Sequence, residues 1–324
     1  MTVSIPATPN NWGAFGDDDD LGTLNYLTPE AVLRGIRSVV TGERHPLNLP
    51  LDLPRSATGG PMFKPSAAPY EKRSFRRNLV TNHGKGLVSN DDQVTFATQG
   101  SSQWDALIHV GADEEGVDGP FYNGVTRDVV DESGHASRLG IDKVAQVGIA
   151  GRGVLLDIAR MVSGGSPDAL PLDFVCTPEI TQACIQHEGL EPQPGDIVCF
   201  RTGWAEKYLS AADDERQAMG LAPDGTFQSA PGISPEHTEL AHAARWAAVA
   251  GDNPGVEAMP IGRPMDSAHV RMLRNLGMLF GELLYFGTLA EAAAADRRWD
   301  FLFVAVPLWI PGGAGSPANA MAIR

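Results

Sequence analysis

Two apolar segments with a helical segment between them constrain the fold of this chain most strongly. Residues 151–158 contain a nearly all-apolar run, and a strand of that composition is expected to be buried on both faces. A helix is expected to begin at Thr177 and Pro178, because proline is favoured in the first turn of a helix. A turn signal at residues 192–196 leads into a second apolar strand at residues 197–201. This alternation of strands and helices predicts a mixed α/β fold.

The 324 residues show no linker rich in Gly, Ser or Pro that would separate two independent cores. One domain is therefore predicted for residues 1–324. Within it, residues 1–45 are expected to form an N-terminal arm and first helix, and residues 46–324 the core. Thr28 is placed to cap the first helix, with Pro29 at its first position. The composition, 43% apolar and 20% charged, is that of an ordinary folded globular domain.

The formal net charge of −15 argues against binding to nucleic acids or anionic membranes, since those partners are held mainly by clustered Lys and Arg. Neither a secretory signal nor an apolar segment of bilayer-spanning length is evident, so we expect a cytoplasmic protein. The partner we expect is a small-molecule substrate. Cys176, Cys184 and Cys199 are odd in number and have apolar neighbours, and they are expected to pack as small apolar side chains.

A polar stretch at residues 99–109 is the first candidate for chemistry. If it is extended, the side chains at its odd positions point to one face, because strand side chains alternate: Gln99, Ser101, Gln103 and Asp105. Trp104 and the apolar residues after it indicate a buried setting, where polar groups need hydrogen-bond partners or a metal ion. His109 follows Asp105 at a distance that a tight turn could close. A solvent-exposed strand would show the same polar face, so this alternative stays open.

Residues 266–277 form a second informative segment. They predict a helix with Asp266 or Ser267 at its N-cap and Gly277 at its end. His269 then falls in the first turn of the helix, and on its own it would be interpreted as a surface or capping residue.

An apolar strand is expected after this helix, at residues 278–286, with Glu282 in its middle. A glutamate in such a strand is rarely buried unless it is paired or bound to a cation. Together with Asp105 and His269, Glu282 forms a set of oxygen and imidazole groups that could hold a divalent metal ion.

The order of these residues resembles the cyclase family, whose hallmark is His-x-Gly-Thr-His-x-Asp-x-Pro-x-His, followed much later by a His and a Glu. Asp105 and His109 match the hallmark, and His269 and Glu282 match the later pair. Further strings look like the longer bacterial members and occur in the same order: residues 11–13, 19–25, 121–124, 151–157 and 194–204. The chain therefore resembles the kynurenine formamidase-like, isatin hydrolase-like and dienelactone hydrolase-like cyclases over nearly its whole length.

This resemblance implies an α/β fold: a single mixed domain of the swivelling β/β/α type, with a largely β core and flanking helices. It also implies a metal site, although Gln99 and Gln103 stand where the hallmark has its first two His. Because an amide oxygen is a harder ligand than imidazole, we expect one divalent ion, Mn rather than Zn. The expected ligands are Asp105, His269 and Glu282, with Gln103 next and Gln99 either ligating or supporting them.

The activity that the resemblance implies is attack of water on a small activated carbonyl, with the ion activating the water and polarising the carbonyl. His109 would be the general base on the water and then the proton donor to the leaving group. The departures from the hallmark favour a lactone or cyclic amide as the substrate. Trp104, Tyr122, Phe63 and Trp12 are candidates for lining an aromatic pocket, although packing in the core is the simpler interpretation for each.

Three alternative functions remain open at this point. The chain could be an arylformamidase-type amide hydrolase, or a metal-dependent lyase or isomerase in which His109 removes a proton from carbon. It could also be a non-catalytic ligand-binding homologue, although the retention of His109 and of the expected acidic and imidazole ligands argues against this. The resemblance further implies a homodimer or homotetramer.

Overall fold

A computed structural model describes residues 8–53, 76–84, 87–113, 119–219 and 229–324 of the chain. In these residues the strands are β1 Arg44–Pro46, β2 Arg76–Gly84, β3 Leu87–Thr95, β4 Gln103–Asp105, β5 Ile149–Leu156, β6 Val175–Cys176, β7 Ile197–Phe200, β8 Gly232–Ile233, β9 Ala248–Gly251, β10 Leu279–Glu282, β11 Asp300–Ala305, β12 Gly315–Pro317 and β13 Ala320–Ile323. The α-helices are α1 Pro29–Arg37, α2 Ile141–Val147, α3 Ile158–Val162, α4 Pro178–Glu188, α5 Trp204–Ser210, α6 Asp213–Ala218, α7 His237–Ala244 and α8 Gly287–Asp296.

Nine of these strands form one sheet, in the order β1-β13-β11-β5-β7-β9-β10-β4-β12. The central strands β5, β7, β9 and β10 are parallel, and helices connect them along the chain. The outer strands pair antiparallel on both sides of this parallel centre. The structure thus confirms the mixed α/β fold with a central sheet and flanking helices.

The apolar segments place the core on both faces of this sheet. On β5, Leu155 packs in the apolar cluster on one face, whereas Val154 and Leu156 pack in the cluster on the other. Alternating side chains of one strand therefore fill two layers, as expected for a buried parallel strand. The strands predicted at residues 151–158 and 197–201 are confirmed as β5 and β7, within two residues at each end.

The N-terminal helix packs directly on the sheet. The Thr28 side chain accepts a hydrogen bond from the Ala31 N–H and Pro29 occupies the first turn of α1, which confirms the predicted start of this helix. A Cβ on Gly35 would lie 2.5 Å from the Gly151 carbonyl oxygen of β5, so only glycine allows this approach. Helix α1 is in this way packed against the central sheet.

One predicted strand needs correction. The strand predicted at residues 278–286 is β10, and Glu282 is its last residue instead of its centre. Leu283 has a φ of 53°, which takes the backbone out of the extended region. Among the described residues, none of the helices is long and apolar enough to cross a membrane.

Candidate metal centre

Antiparallel pairing of β4 with β10 brings the candidate acidic residues together. Gln103 is paired with Glu282, and Asp105 with Phe280. Directly opposed residues of an antiparallel pair lie on the same face of the sheet. The side chains of Gln103, Asp105 and Glu282 therefore meet on one face, although β4 and β10 are far apart in the sequence.

Trp104 lies between two of these residues and points the other way. Its ring is fully buried and packs edge-to-face against Phe303, with ring centroids 5.9 Å apart. It also lies over Gly281, where a Cβ would come within 3.0 Å of the ring. Of the two interpretations of Trp104, the structure therefore favours packing in the core over lining a pocket on the face that carries Asp105.

His269 reaches the same face from the helical segment that precedes β10. The Ser267 hydroxyl accepts a hydrogen bond from the Val270 N–H, and a π-helix follows at His269–Arg274. Gly277, with a φ of 69°, lies just beyond the end of this helical segment. The predicted helix, its Ser267 cap and its end at Gly277 are confirmed. The His269 ring packs on Phe280 at 5.0 Å.

Asp105, His269 and Glu282 form a potential metal-binding triad, with one ligand atom from each lying within 4.8 Å of the others. The His269 Nε2 atom is 3.3 Å from Glu282 Oε1 and 3.8 Å from Asp105 Oδ2. Gln103 extends the cluster, because its Nε2 donates a hydrogen bond to Glu282 Oε2. We call these four residues the acidic cluster.

Three oxygen atoms of the acidic cluster are buried without a hydrogen-bond partner: Gln103 Oε1, Asp105 Oδ2 and Glu282 Oε1. A buried polar atom left unpaired costs on the order of 1–3 kcal/mol, so three of them in one place call for an explanation. A divalent cation beside His269 Nε2 would satisfy the Asp105 and Glu282 oxygens together. The residues present therefore fit a metal ion.

The electrostatics of the cluster also favour a cation. Burial, and then the neighbouring Glu282 carboxylate, raise the pKa of Asp105 well above its ordinary value. Burial opposes protonation of His269, but the neighbouring Glu257 and Glu282 carboxylates outweigh it and raise the pKa of His269 well above its ordinary value. Both shifts express an excess of buried negative charge, which a divalent ion can neutralise in place of protons.

Glu257 is a functional candidate that the sequence analysis missed. Its carboxylate is buried and accepts hydrogen bonds from the Ala268 N–H at 2.8 Å, the His269 N–H at 3.2 Å and His269 Nδ1 at 2.5 Å. It lies in the loop after β9, and the only signal in the sequence is an acid between Val256 and Ala258. Glu257 orients the imidazole so that Nε2 faces Asp105 and Glu282.

His109 lies at the edge of the acidic cluster. The tight turn expected after Asp105 is present, since the His109 N–H donates to the Ala106 carbonyl at 2.9 Å. Its Nε2 atom is 3.9 Å from Asp105 Oδ2, and its side chain is 32% exposed. Gln99 bridges the two residues, with its Nε2 atom 3.2 Å from Asp105 Oδ1 and 2.7 Å from His109 Nδ1.

The extended conformation considered for residues 99–105 is restricted to β4. Gln99 lies in a turn before the strand, and Ser101 turns away, donating its hydroxyl hydrogen bond to the Pro50 carbonyl at 2.9 Å. Gln99 reaches Asp105 from this turn and not from a shared strand face. Period-two alternation therefore accounts for Gln103 and Asp105 but not for Gln99.

The remaining aromatic candidates do not meet at the acidic cluster in the described contacts. Tyr122 is fully buried and donates a hydrogen bond to Asp19 at 3.0 Å. Trp12 Nε1 donates to the Arg274 carbonyl at 3.0 Å, and the Arg274 guanidinium lies 4.8 Å from its ring. Arg274 is the last residue of the π-helix, whereas His269 is the first. Phe63 lies outside the described residues.

Comparison with known proteins agrees with this architecture. Residues 23–258 match a family model described as "Putative cyclase". A crystal structure described as that of a novel cyclase is 32% identical and has a TM-score of 0.83, and the match covers 98% of this chain and 100% of that chain.

Two isatin hydrolases share the fold at lower identity. Isatin hydrolase A from Ralstonia solanacearum is 17% identical, with a TM-score of 0.56 over 86% of this chain and 91% of that chain. An isatin hydrolase bound to the product analogue thioisatinate is 16% identical, with a TM-score of 0.58 over 92% of this chain and 99% of that chain. No match was found among curated proteins.

Proposed function

The chain belongs to the cyclase family, and on this premise we propose that it is a metal-dependent hydrolase that opens a small lactone or cyclic amide. One observation carries the proposal: two buried oxygen atoms without hydrogen-bond partners, Asp105 Oδ2 and Glu282 Oε1, lie 3.8 and 3.3 Å from the Nε2 atom of His269. Such an arrangement is costly in a merely structural core but suited to a cation.

The proposed ligands are Asp105, His269 and Glu282, with Gln103 contributing its amide oxygen. Three oxygens and one imidazole nitrogen form a set that suits a harder divalent ion, and this favours Mn²⁺ over Zn²⁺. Gln99 contacts Asp105 and His109 through its amide nitrogen, and a nitrogen that donates hydrogen bonds does not ligate a metal. We therefore propose a single ion, with Gln99 in a supporting position.

The chemistry that such an ion supplies is a more acidic bound water and a polarised substrate carbonyl. The protein supplies the rest. Burial of Asp105 and Glu282 excludes bulk water from the cluster and strengthens its electrostatic interactions. His109, at the partly exposed edge, is the residue to which we assign acid–base chemistry on the substrate side of the cluster.

The substrate class is supported by two observations. Gln99 and Gln103 replace the hallmark histidines, which separates this chain from members that carry the full ligand set. The names of two proteins that share its fold identify them as isatin hydrolases, and isatin is a cyclic amide. Opening of a cyclic amide or a lactone involves the same step, attack of water on a strained or activated carbonyl.

Elemental analysis of the purified protein, combined with turnover assays before and after chelation, tests the proposal. We expect bound divalent metal, loss of turnover on chelation, and recovery with Mn²⁺ in excess of that with Zn²⁺. Glu282→Gln should lose both metal and turnover, whereas Glu239→Gln, which changes an exposed residue of α7, should lose neither.

Reactions run in ¹⁸O-labelled water test the reaction class on a panel of lactones and cyclic amides. Hydrolysis places the label in the product carboxylate. Turnover without label in a carboxylate would instead identify a lyase or isomerase, and absence of bound metal after incubation with Mn²⁺ and Zn²⁺ would overturn the proposal as a whole.

A further inference from the structure

The two histidines beside the acidic cluster are held by partners of opposite hydrogen-bonding character. His269 Nδ1 contacts the Glu257 carboxylate, whereas His109 Nδ1 contacts the side-chain amide of Gln99. An ionised carboxylate can only accept a hydrogen bond, but an amide can accept through oxygen or donate through nitrogen. The identity of the partner atom therefore decides which ring nitrogen carries the proton in a neutral imidazole.

For His269 the assignment follows directly. The Glu257 carboxylate already accepts from the backbone N–H groups of Ala268 and His269 at 2.8 and 3.2 Å, so it is anchored as an acceptor. The Nδ1 atom must then carry the proton that it donates to Glu257. In the neutral ring the Nε2 lone pair is left facing Asp105 and Glu282, which is the tautomer that a metal ligand requires.

For His109 the neighbouring carboxylate fixes the orientation of the Gln99 amide. With Asp105 ionised, as it must be to bind a metal ion, the Gln99 atom that lies 3.2 Å from Asp105 Oδ1 is the nitrogen, because two oxygens facing each other would repel. The same nitrogen lies 2.7 Å from His109 Nδ1. Its two hydrogens serve Asp105 and His109, so His109 Nδ1 accepts a hydrogen bond, and the proton of the neutral ring is on Nε2.

We infer that Glu257 and Gln99 are positioning residues that hold His269 and His109 in opposite tautomers, the first as a metal ligand and the second as an N–H donor kept out of the coordination sphere. The inference rests on the proposed function, and it goes further by giving Gln99 a role of its own. The replacement of a histidine by Gln99 does more than remove a ligand, since it also sets the tautomer of its neighbour.

The tautomer of His109 has a chemical consequence. The Nε2–H faces the Asp105 side of the cluster, where Nε2 lies 3.9 Å from Asp105 Oδ2. From there it can donate a hydrogen bond to a substrate oxygen on which negative charge develops. Acceptance of a proton at Nε2 would require the hydrogen bond between Gln99 and Nδ1 to break first. The resting ring therefore supplies a hydrogen bond to the substrate side, and it can act as a proton acceptor only after the bond from Gln99 to Nδ1 has broken.

Nitrogen-15 NMR of the histidine rings tests this inference without a substrate. The full chain is labelled on its histidine rings, and spectra are recorded metal-free and with Zn²⁺, a diamagnetic probe, at a pH where His109 is neutral. His109→Ala and His269→Ala variants assign the two rings. We expect His109 to carry its proton on Nε2 in both states, and Zn²⁺ to shift the Nε2 resonance of His269 only.

Two isosteric substitutions should then act on one ring each. Gln99→Glu supplies a carboxylate that accepts from Nδ1, so it should move the proton of His109 from Nε2 to Nδ1 and leave His269 unchanged. Glu257→Gln should weaken Zn²⁺ binding about 10–100-fold, measured by calorimetry, and leave the tautomer of His109 unchanged. Gln182→Glu, the same charge change at an exposed residue of α4, should affect neither ring.

The outcomes separate this inference from the proposed function. A wild-type His109 with its proton on Nδ1, a tautomer unmoved by Gln99→Glu, or a Zn²⁺-induced shift of a His109 nitrogen would each overturn the inference while leaving the metal site standing. Absence of any Zn²⁺-induced shift at His269 would overturn the metal site and the inference together. A variant that perturbs both rings equally would show a general structural role and would also contradict the inference.

Discussion

Substitution of Asp105 by Asn should stabilise the metal-free protein and abolish its stabilisation by metal. In the metal-free state Asp105 is fully buried, its Oδ2 atom has no hydrogen-bond partner, and Glu282 adds a second negative charge nearby. Asparagine has nearly the same shape, keeps an oxygen that can accept from Gln99, and cannot ionise. The substitution therefore removes a buried carboxyl group whose charge must be neutralised by a proton or by a cation.

The magnitude follows from the cost of the unpaired group. A buried polar or charged atom without a partner costs on the order of 1–3 kcal/mol, so Asp105→Asn should raise the metal-free free energy of unfolding by about that amount at neutral pH. The pKa of Asp105 is raised in the folded state, so the folded protein binds the proton more tightly. Stability is then lost as pH rises above the ordinary value of 3.8, and the gain from Asn should vanish below about pH 4.

Bound metal should reverse the order of stability of the wild type and Asp105→Asn. An ion present at 100 times its Kd stabilises the wild-type fold by about 2.7 kcal/mol, and Asp105→Asn should lose most of this. Urea unfolding at pH 7, with chelator and with excess Mn²⁺, measures both effects. Asp157→Asn is the matched control, because Asp157 is equally buried but paired with Arg160 and Arg201. It should be destabilised by about 1–3 kcal/mol with and without metal. If Asp105→Asn behaved like this control, the reasoning would be refuted.

Three further substitutions test separate parts of the structure. Burial raises the pKa of Glu188 to about 8, so the free energy of unfolding of the wild type should fall as pH rises from about 4.5 to 8. Urea unfolding of Glu188→Gln across this range should show a smaller decline with pH, and an unchanged decline would contradict this role of Glu188. Gly281→Ala should destabilise by about 1–3 kcal/mol because its Cβ would crowd Trp104; Gly262→Ala, with no atom within 4 Å of the added Cβ, should stay within about 0.5 kcal/mol in the same assay. Gln103→Leu should weaken Mn²⁺ binding about 10–100-fold by calorimetry, and an unchanged affinity would exclude Gln103 from the site.

The fold was predictable from the sequence because its central strands are strongly apolar. Strands such as β5 and β7 fill both faces of the sheet, so nearly every residue in them is apolar and their signal does not depend on knowing the partner strands. The end of β10 was not predictable in the same way. Its apolar run continues past Glu282, and the chain leaves the strand through a backbone conformation at Leu283 that composition does not encode.

Some residues of the candidate site were likewise predictable from the sequence, and others were not. The family hallmark pointed to Asp105, His269 and Glu282, and the structure brings these three together. Glu257 was missed because its partners lie on a different element, and no local pattern marks an acid that will accept hydrogen bonds from the start of a helix. The core position of Trp104 was predictable, since the same alternation that places Gln103 and Asp105 on one face places the residue between them on the other.

The pairing of Gln103 with Glu282 joins positions that are 179 residues apart. An ion bound between β4 and β10 would cross-link the two strands and close a loop of more than half the polypeptide. The unfolded chain offers no comparable binding site. Uptake of the ion would therefore report correct alignment of the two strands, since a slip by one residue would turn Gln103 and Asp105 to the opposite side. A chain that had folded out of alignment would be unable to retain the ion, so metal content in a purified sample would serve as a measure of how much of it is correctly assembled.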